Sequence, residues 1–119
     1  MVGNSKTLSF NYDNGCIRIS HEVFKLLGYP KFIKILLNAG KRQIVVLSTD
    51  KCDLDRIKLN YKSKSIFKDP RLYSKLLVEK IFITSDWNLN KSYRVNVEFD
   101  HDKGGFTSDL TKAIELGAK

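Results

Sequence analysis

The stretch Gly15-Cys16-Ile17-Arg18-Ile19-Ser20-His21-Glu22-Val23-Phe24-Lys25-Leu26-Leu27-Gly28, continued through Leu47, decides the fold. Ile17 and Ile19 alternate with Cys16 and Arg18, which is the period of a short strand. Ser20 has the residue type of a helix N-cap, whose hydroxyl accepts from an orphan backbone N–H. Glu22 follows in the first turn, where negative charge suits the helix dipole. Val23, Phe24, Leu26 and Leu27 form a broad apolar face at helical spacing. Gly28 fits the left-handed position that ends a helix, and Pro30 discourages a restart. Ile33, Ile35 and Leu37 then share one strand face. Asn38 to Lys41 form a turn, and Gln43 to Leu47 form a β-branched return strand. This apolar hairpin is long enough for both of its faces to be covered.

Working outward, Leu8, Phe10 and Tyr12 alternate with polar residues, and Asp13-Asn14-Gly15 is the signature of a tight hairpin turn. Downstream, Ile57, Leu59 and Tyr61 alternate with Arg56, Lys58, Asn60 and Lys62, so 56–62 reads as a half-buried strand with a basic outer face. Its lysines have two readings: a phosphate-contacting surface, or an edge strand protected against edge-to-edge pairing. Asp69-Pro70 opens a helix over about 70–81, with Leu72, Leu76 and Leu77 on its inner side. Trp87 reads as a lid on the core. Tyr93, Val95, Val97 and Phe99 form the clearest strand, and 101–105 a turn. Ser108 caps a terminal helix in which Leu110, Ala113, Ile114 and Gly117 share a face. The fold class is therefore α+β: a mostly antiparallel sheet of five or six strands with three helices. It forms a single domain over 1–119, with a strand–helix–hairpin unit at 15–47 and a helix–strand–helix completion at 69–119.

The chain has 119 residues and a net charge of +8. Residues 1–50 carry seven Lys/Arg against three Asp/Glu, residues 51–80 nine against four, and residues 81–119 five against six. The excess lies in the first two thirds, as in a protein that meets a polyanion with one side. A solvated lysine-rich surface is the plainer alternative. No apolar run approaches the ~18 residues of a membrane span, and the N-terminus lacks a signal peptide's apolar region. A cytoplasmic protein with no membrane partner is expected. Cys16 and Cys52 belong to no C-x-x-C motif and read as reduced packing thiols.

The chemistry of catalysis finds little purchase. Gly104-Gly105 is followed by Phe106-Thr107, not by the Lys-Ser/Thr of a phosphate-cradling loop. No Ser or Cys can be paired with a His from sequence. Asp100-His101-Asp102 matches a metal site poorly, because adjacent strand-end residues point apart. A non-enzyme without metal or cofactor is expected. The basic residues Arg18, Lys25, Lys41, Arg42, Arg56, Lys58, Lys62 and Lys64 remain as binding candidates. The arginines suit base-edge contact through the two-pronged guanidinium.

Within 15–47 the order of parts resembles the AbrB/SpoVT swapped-hairpin family of DNA-binding regulators. The matching parts are Gly15, Ile17-Arg18-Ile19, Ser20-His21-Glu22-Val23, Leu26-Leu27-Gly28, Ile33 to Leu37 and Ile44 to Leu47. Ser20 stands where that family usually has proline, and only Arg18 and Lys25 supply charge along the strand and helix. The resemblance implies duplex-DNA binding and an intertwined homodimer. The chain also resembles small proteins of bacterial phages and mobile elements. That likeness implies a rival role: an inhibitor, of anti-CRISPR type, whose basic face occupies an acidic protein surface.

Overall fold

In the computed structural model, residues 6–59 and 69–118 are described. Among them the fold is α+β, with ten strands and two α-helices. The strands form two antiparallel five-stranded sheets. Sheet A contains β1 (Thr7–Asn11), β2 (Cys16–Ile19), β6 (Arg71–Tyr73), β7 (Lys91–Asn96) and β10 (Ile114–Ala118), in the order β10-β7-β1-β2-β6. Sheet B contains β3 (Phe32–Asn38), β4 (Gln43–Thr49), β5 (Ile57–Lys58), β8 (Glu98–Asp100) and β9 (Gly105–Asp109), in the order β5-β3-β4-β9-β8. The helices are α1 (His21–Leu26) and α2 (Lys75–Ser85).

One core joins both sheets. Leu8, Phe10, Ile17, Ile19, Leu72 and Val95 come from sheet A, and Ile33, Ile44, Val46 and Phe106 from sheet B. Val23 and Phe24 of α1 and Val78, Ile81 and Phe82 of α2 complete it. Trp87 lies over this core, stacked on Tyr93 at 4.5 Å and edge-on to Phe82 at 5.2 Å.

The stretch 15–47 forms the expected parts in the expected order, but they divide between the sheets. β2 joins sheet A, while the β3–β4 hairpin builds sheet B. α1 ends as its sequence indicates. Gly28 adopts φ +88°. Its N–H donates to the Lys25 carbonyl, and that of Tyr29 to the Phe24 carbonyl. The Phe24 and Tyr29 rings meet edge-on at 5.1 Å, which is the apolar contact of a Schellman ending. The start of α1 differs. Ser20 holds the N-cap position, yet its hydroxyl accepts from the Thr7 N–H at 3.0 Å. The His21 N–H instead donates to the Asp69 carboxylate at 2.7 Å.

Other expectations are corrected. A single sheet with three helices becomes two sheets with two. Arg71–Tyr73 pairs with β2, so α2 begins after Ser74, whose hydroxyl accepts from the Leu77 N–H, and not at Asp69-Pro70. Leu72 is therefore a buried strand residue, and Leu76 lies 63% exposed on the outer side of the helix. The terminal helix is absent. Ser108 is buried in β9, with its hydroxyl donating to the Asn96 carbonyl at 2.8 Å. Asp109 caps a single 3-10 turn over Leu110–Lys112, and β10 follows. The edge of β7 offers this segment a ladder of backbone partners, and β10 pairs there antiparallel. The strand read over 93–99 is broken at Val97, where the chain passes from sheet A to sheet B. Of the strand read over 56–62, only Ile57–Lys58 forms β5; Leu59 is buried and donates its N–H to the Lys31 carbonyl. Residues 60–62 lie outside the described residues. No helix among the described residues is long and apolar enough to cross a membrane.

Candidate nucleic-acid interface

The face of sheet A that points away from the core is built by alternation. Leu8 and Phe10, Ile17 and Ile19, Leu72, and Tyr93 and Val95 are all buried. Because side chains alternate along a strand, their neighbours Ser9, Asn11, Cys16, Arg18, Arg71, Tyr73, Ser92 and Arg94 project to the opposite face.

Register then sorts these neighbours into rows. Arg71 pairs with Arg18, Arg18 with Ser9, Ser9 with Arg94, and Arg94 with Ile114. One line across all five strands therefore reads Arg71–Arg18–Ser9–Arg94–Ile114. Two residues further along the strands, Tyr73 pairs with Cys16 and Cys16 with Asn11. Ser92 follows on from that second line by the β1–β7 register, and Ser92 and Leu116 both line the same groove. The groove holds about 300 Å³ and touches Ser9, Asn11, Cys16, Arg18, Arg71, Tyr73, Ser92 and Leu116.

Among the described residues, the charges of the first row are compensated at Arg18 alone. Like charges directly opposite on neighbouring strands are destabilising, and Arg18 faces Arg71. Among the described residues, the one ion pair at this face is Arg18 Nε to the Asp69 carboxylate at 3.9 Å, with both side chains well exposed. Among the described residues, the guanidinium groups of Arg71 and Arg94 have no hydrogen-bond or ion-pair partner. Neither row contains an acidic residue. Such a face can bind anionic groups arrayed about 5–10 Å apart, the spacing of one or two strands.

The sequence candidates are not brought together. Arg18 alone of them stands on this face. Lys25 is exposed on the last turn of α1. Lys41 and Arg42 occupy the tip of the β3–β4 hairpin, where the Arg42 carbonyl accepts from the Leu110 N–H. Arg56 and Lys58 lie at the other end of that hairpin, opposite Phe32. The two ends are about 20 Å apart, at ~3.4 Å per residue. Arg56 is engaged within its own loop: its guanidinium lies 5.8 Å from the centre of the Phe32 ring and donates to the Asp53 carbonyl. Lys62 and Lys64 fall outside the described residues. The residues that sequence reading missed are Arg71, Arg94 and Tyr73. Their signal was present: Arg71-Leu72-Tyr73 alternates, and Arg94 sits between Tyr93 and Val95.

The acid-rich turns serve the fold. The Asp100 carboxylate accepts from the Asp102 and Lys103 N–H groups in the β8–β9 turn. Asp53 bridges sheet B and the β4–β5 loop, 2.9 Å from the Lys34 ammonium. That hydrogen bond, then the Asp55 N–H and the Thr49 hydroxyl, lower its carboxyl to about 2. No protein-family model, no curated protein and no solved structure matches this chain.

Proposed function

We propose that the protein binds nucleic acid as a non-enzymatic regulator, and that its contact surface is the outer face of sheet A. The observation that supports this reading is the register row Arg71–Arg18–Ser9–Arg94. Three guanidinium groups on three strands, with one weak carboxylate partner among them, cost the free protein stability. A phosphate backbone turns that cost into attraction. The nucleic-acid role expected from the net charge is kept, and its place moves from strand 56–62 to sheet A.

The test is a binding titration over salt concentration. Three phosphate contacts give a log–log slope of about −2 to −3. Arg71→Ala and Arg94→Ala each reduce that slope by about one, while Lys58→Ala leaves it unchanged. Location is read independently by thiol alkylation. Bound oligonucleotide slows modification of Cys16, which lines the groove, and leaves the exposed Cys52 in sheet B's loop as the internal reference. Absence of binding at low salt sinks the proposal.

An acidic protein surface is the rival occupant, as for a mobile-element inhibitor. It is favoured by the half-exposed Tyr73 beside the arginines, since Tyr and Arg dominate interface hot spots. A single partner retained after nuclease treatment, together with failed oligonucleotide binding, selects it. The homodimer that accompanies the swapped-hairpin resemblance is tested by the mass in solution with and without DNA.

A further inference from the structure

We infer that the nucleic acid taken by sheet A is single-stranded. It lies across the strands with its phosphates on the row Arg71–Arg18–Arg94 and its bases on the row Tyr73–Cys16–Asn11–Ser92–Leu116. This rests on the proposed function and narrows it.

The two rows differ in chemistry. The first is cationic. The second carries no charge and has an aromatic ring at one end and an aliphatic side chain at the other. They are separated by two residues along the strands, about 6.7 Å; Arg71 and Arg18 of the first and all of the second line one groove of about 300 Å³, and Arg94 stands beyond it. A single strand presents this pair of features side by side: a charged backbone and unpaired planar bases. Tyr73 is 51% exposed and Leu116 42% exposed. The Tyr73 ring stacks on no other ring among the described residues. Base stacking on such a ring needs no particular sequence, because every base has a π-face. Asn11 adds a polar donor at the centre of the row. Its Oδ1 accepts from the Asp13 N–H, which leaves its NH2 group to donate.

A duplex fits this face less well. Its major groove, about 12 Å wide, admits a helix or a two-stranded ribbon. Five strands at ~4.8 Å spacing present a surface about 19 Å across. The duplex would meet the arginines with its phosphates, and its stacked bases would leave Tyr73 and Leu116 without contact.

The experiment compares three probes with the 119-residue chain at one salt concentration: a single-stranded oligothymidine of about 16 nucleotides, its ribo-equivalent, and a duplex of the same length. Either single strand binds at least tenfold tighter than the duplex. Tyr73→Ala weakens single-strand binding by about 5- to 100-fold, while Tyr73→Phe retains it. Because β6 is an edge strand and Tyr73 is half-exposed, the far-UV spectrum and melting curve of Tyr73→Phe verify the fold independently of Tyr73→Ala. A duplex bound as tightly as the single strands, or Tyr73→Ala binding like wild type, overturns this inference and leaves the proposed function standing. If no probe binds at low salt, both fall.

Discussion

At the level of single residues, Gly15 and Asp53 show how local chemistry supports the frame. Gly15 has φ +64°, and a Cβ built on it would come within 2.9 Å of the Lys75 Cα. A turn conformation that disfavours side chains thus coincides with a close backbone approach. Gly15→Ala is expected to destabilise the protein by about 1–3 kcal/mol, read from the shift in a urea transition. Asp53 works through protonation. Its folded carboxyl is lowered to about 2, from an ordinary aspartate value of 3.8. A depressed carboxyl pKa gives stability that is complete above the unfolded value and is lost as pH falls through the folded one. The denaturation midpoint should therefore drop between about pH 4 and pH 2, and Asp53→Asn should flatten that part of the profile. Lys34 runs in the opposite sense. The Asp53 hydrogen bond raises its pKa, so its contribution is lost only as pH rises past the ordinary lysine range.

Among the elements, the informative cases are those where a segment's partner lies far away in sequence. Asp69-Pro70 has the form of a helix start, and Asp69 does serve a helix. The helix is α1, 48 positions upstream, and the bond runs from the His21 N–H. No local pattern encodes that. The same carboxylate holds Arg18 at 3.9 Å. Asp69→Asn keeps an acceptor for His21 and removes the charge. It should leave the melting temperature nearly unchanged and tighten oligonucleotide binding severalfold; weaker binding would show that Asp69 positions Arg18 for contact. The hairpins, the ending of α1 and the Trp87 lid were legible in sequence, because turn residues and alternation act locally. β10 was not. Leu110, Ala113, Ile114 and Gly117 have helical spacing, but the edge of β7 supplies backbone partners from a distant part of the chain. The arginine row was hidden for the same reason. Arg71 lay in what reads as a helix, and Arg94 in the third of the chain with more acids than bases. Only register places them beside Arg18.

For the whole molecule, the shared core makes the two sheets one cooperative unit. Phe106 of sheet B is 1% exposed and belongs to the same cluster as Phe82 and Tyr93, which surround Trp87. Phe106→Ala should cost about 3–5 kcal/mol. The loss should show fully in Trp87 fluorescence, although Trp87 packs against α2 and sheet A. Fluorescence and far-UV circular dichroism should give coincident transitions. Separate transitions would show that the sheets unfold independently.

The opposition of Arg18 and Arg71 has a consequence for the edge of sheet A. β6 is three residues long and among the described residues pairs only with β2, yet it carries the end of both rows. Repulsion across that ladder loosens the strand in the free protein, and an anion bridging the two guanidiniums tightens it. Occupancy and local order are therefore thermodynamically linked. A bound polyanion acts as a clamp on the sheet's edge, and β6 is the segment whose amide exchange slows most when the site is filled.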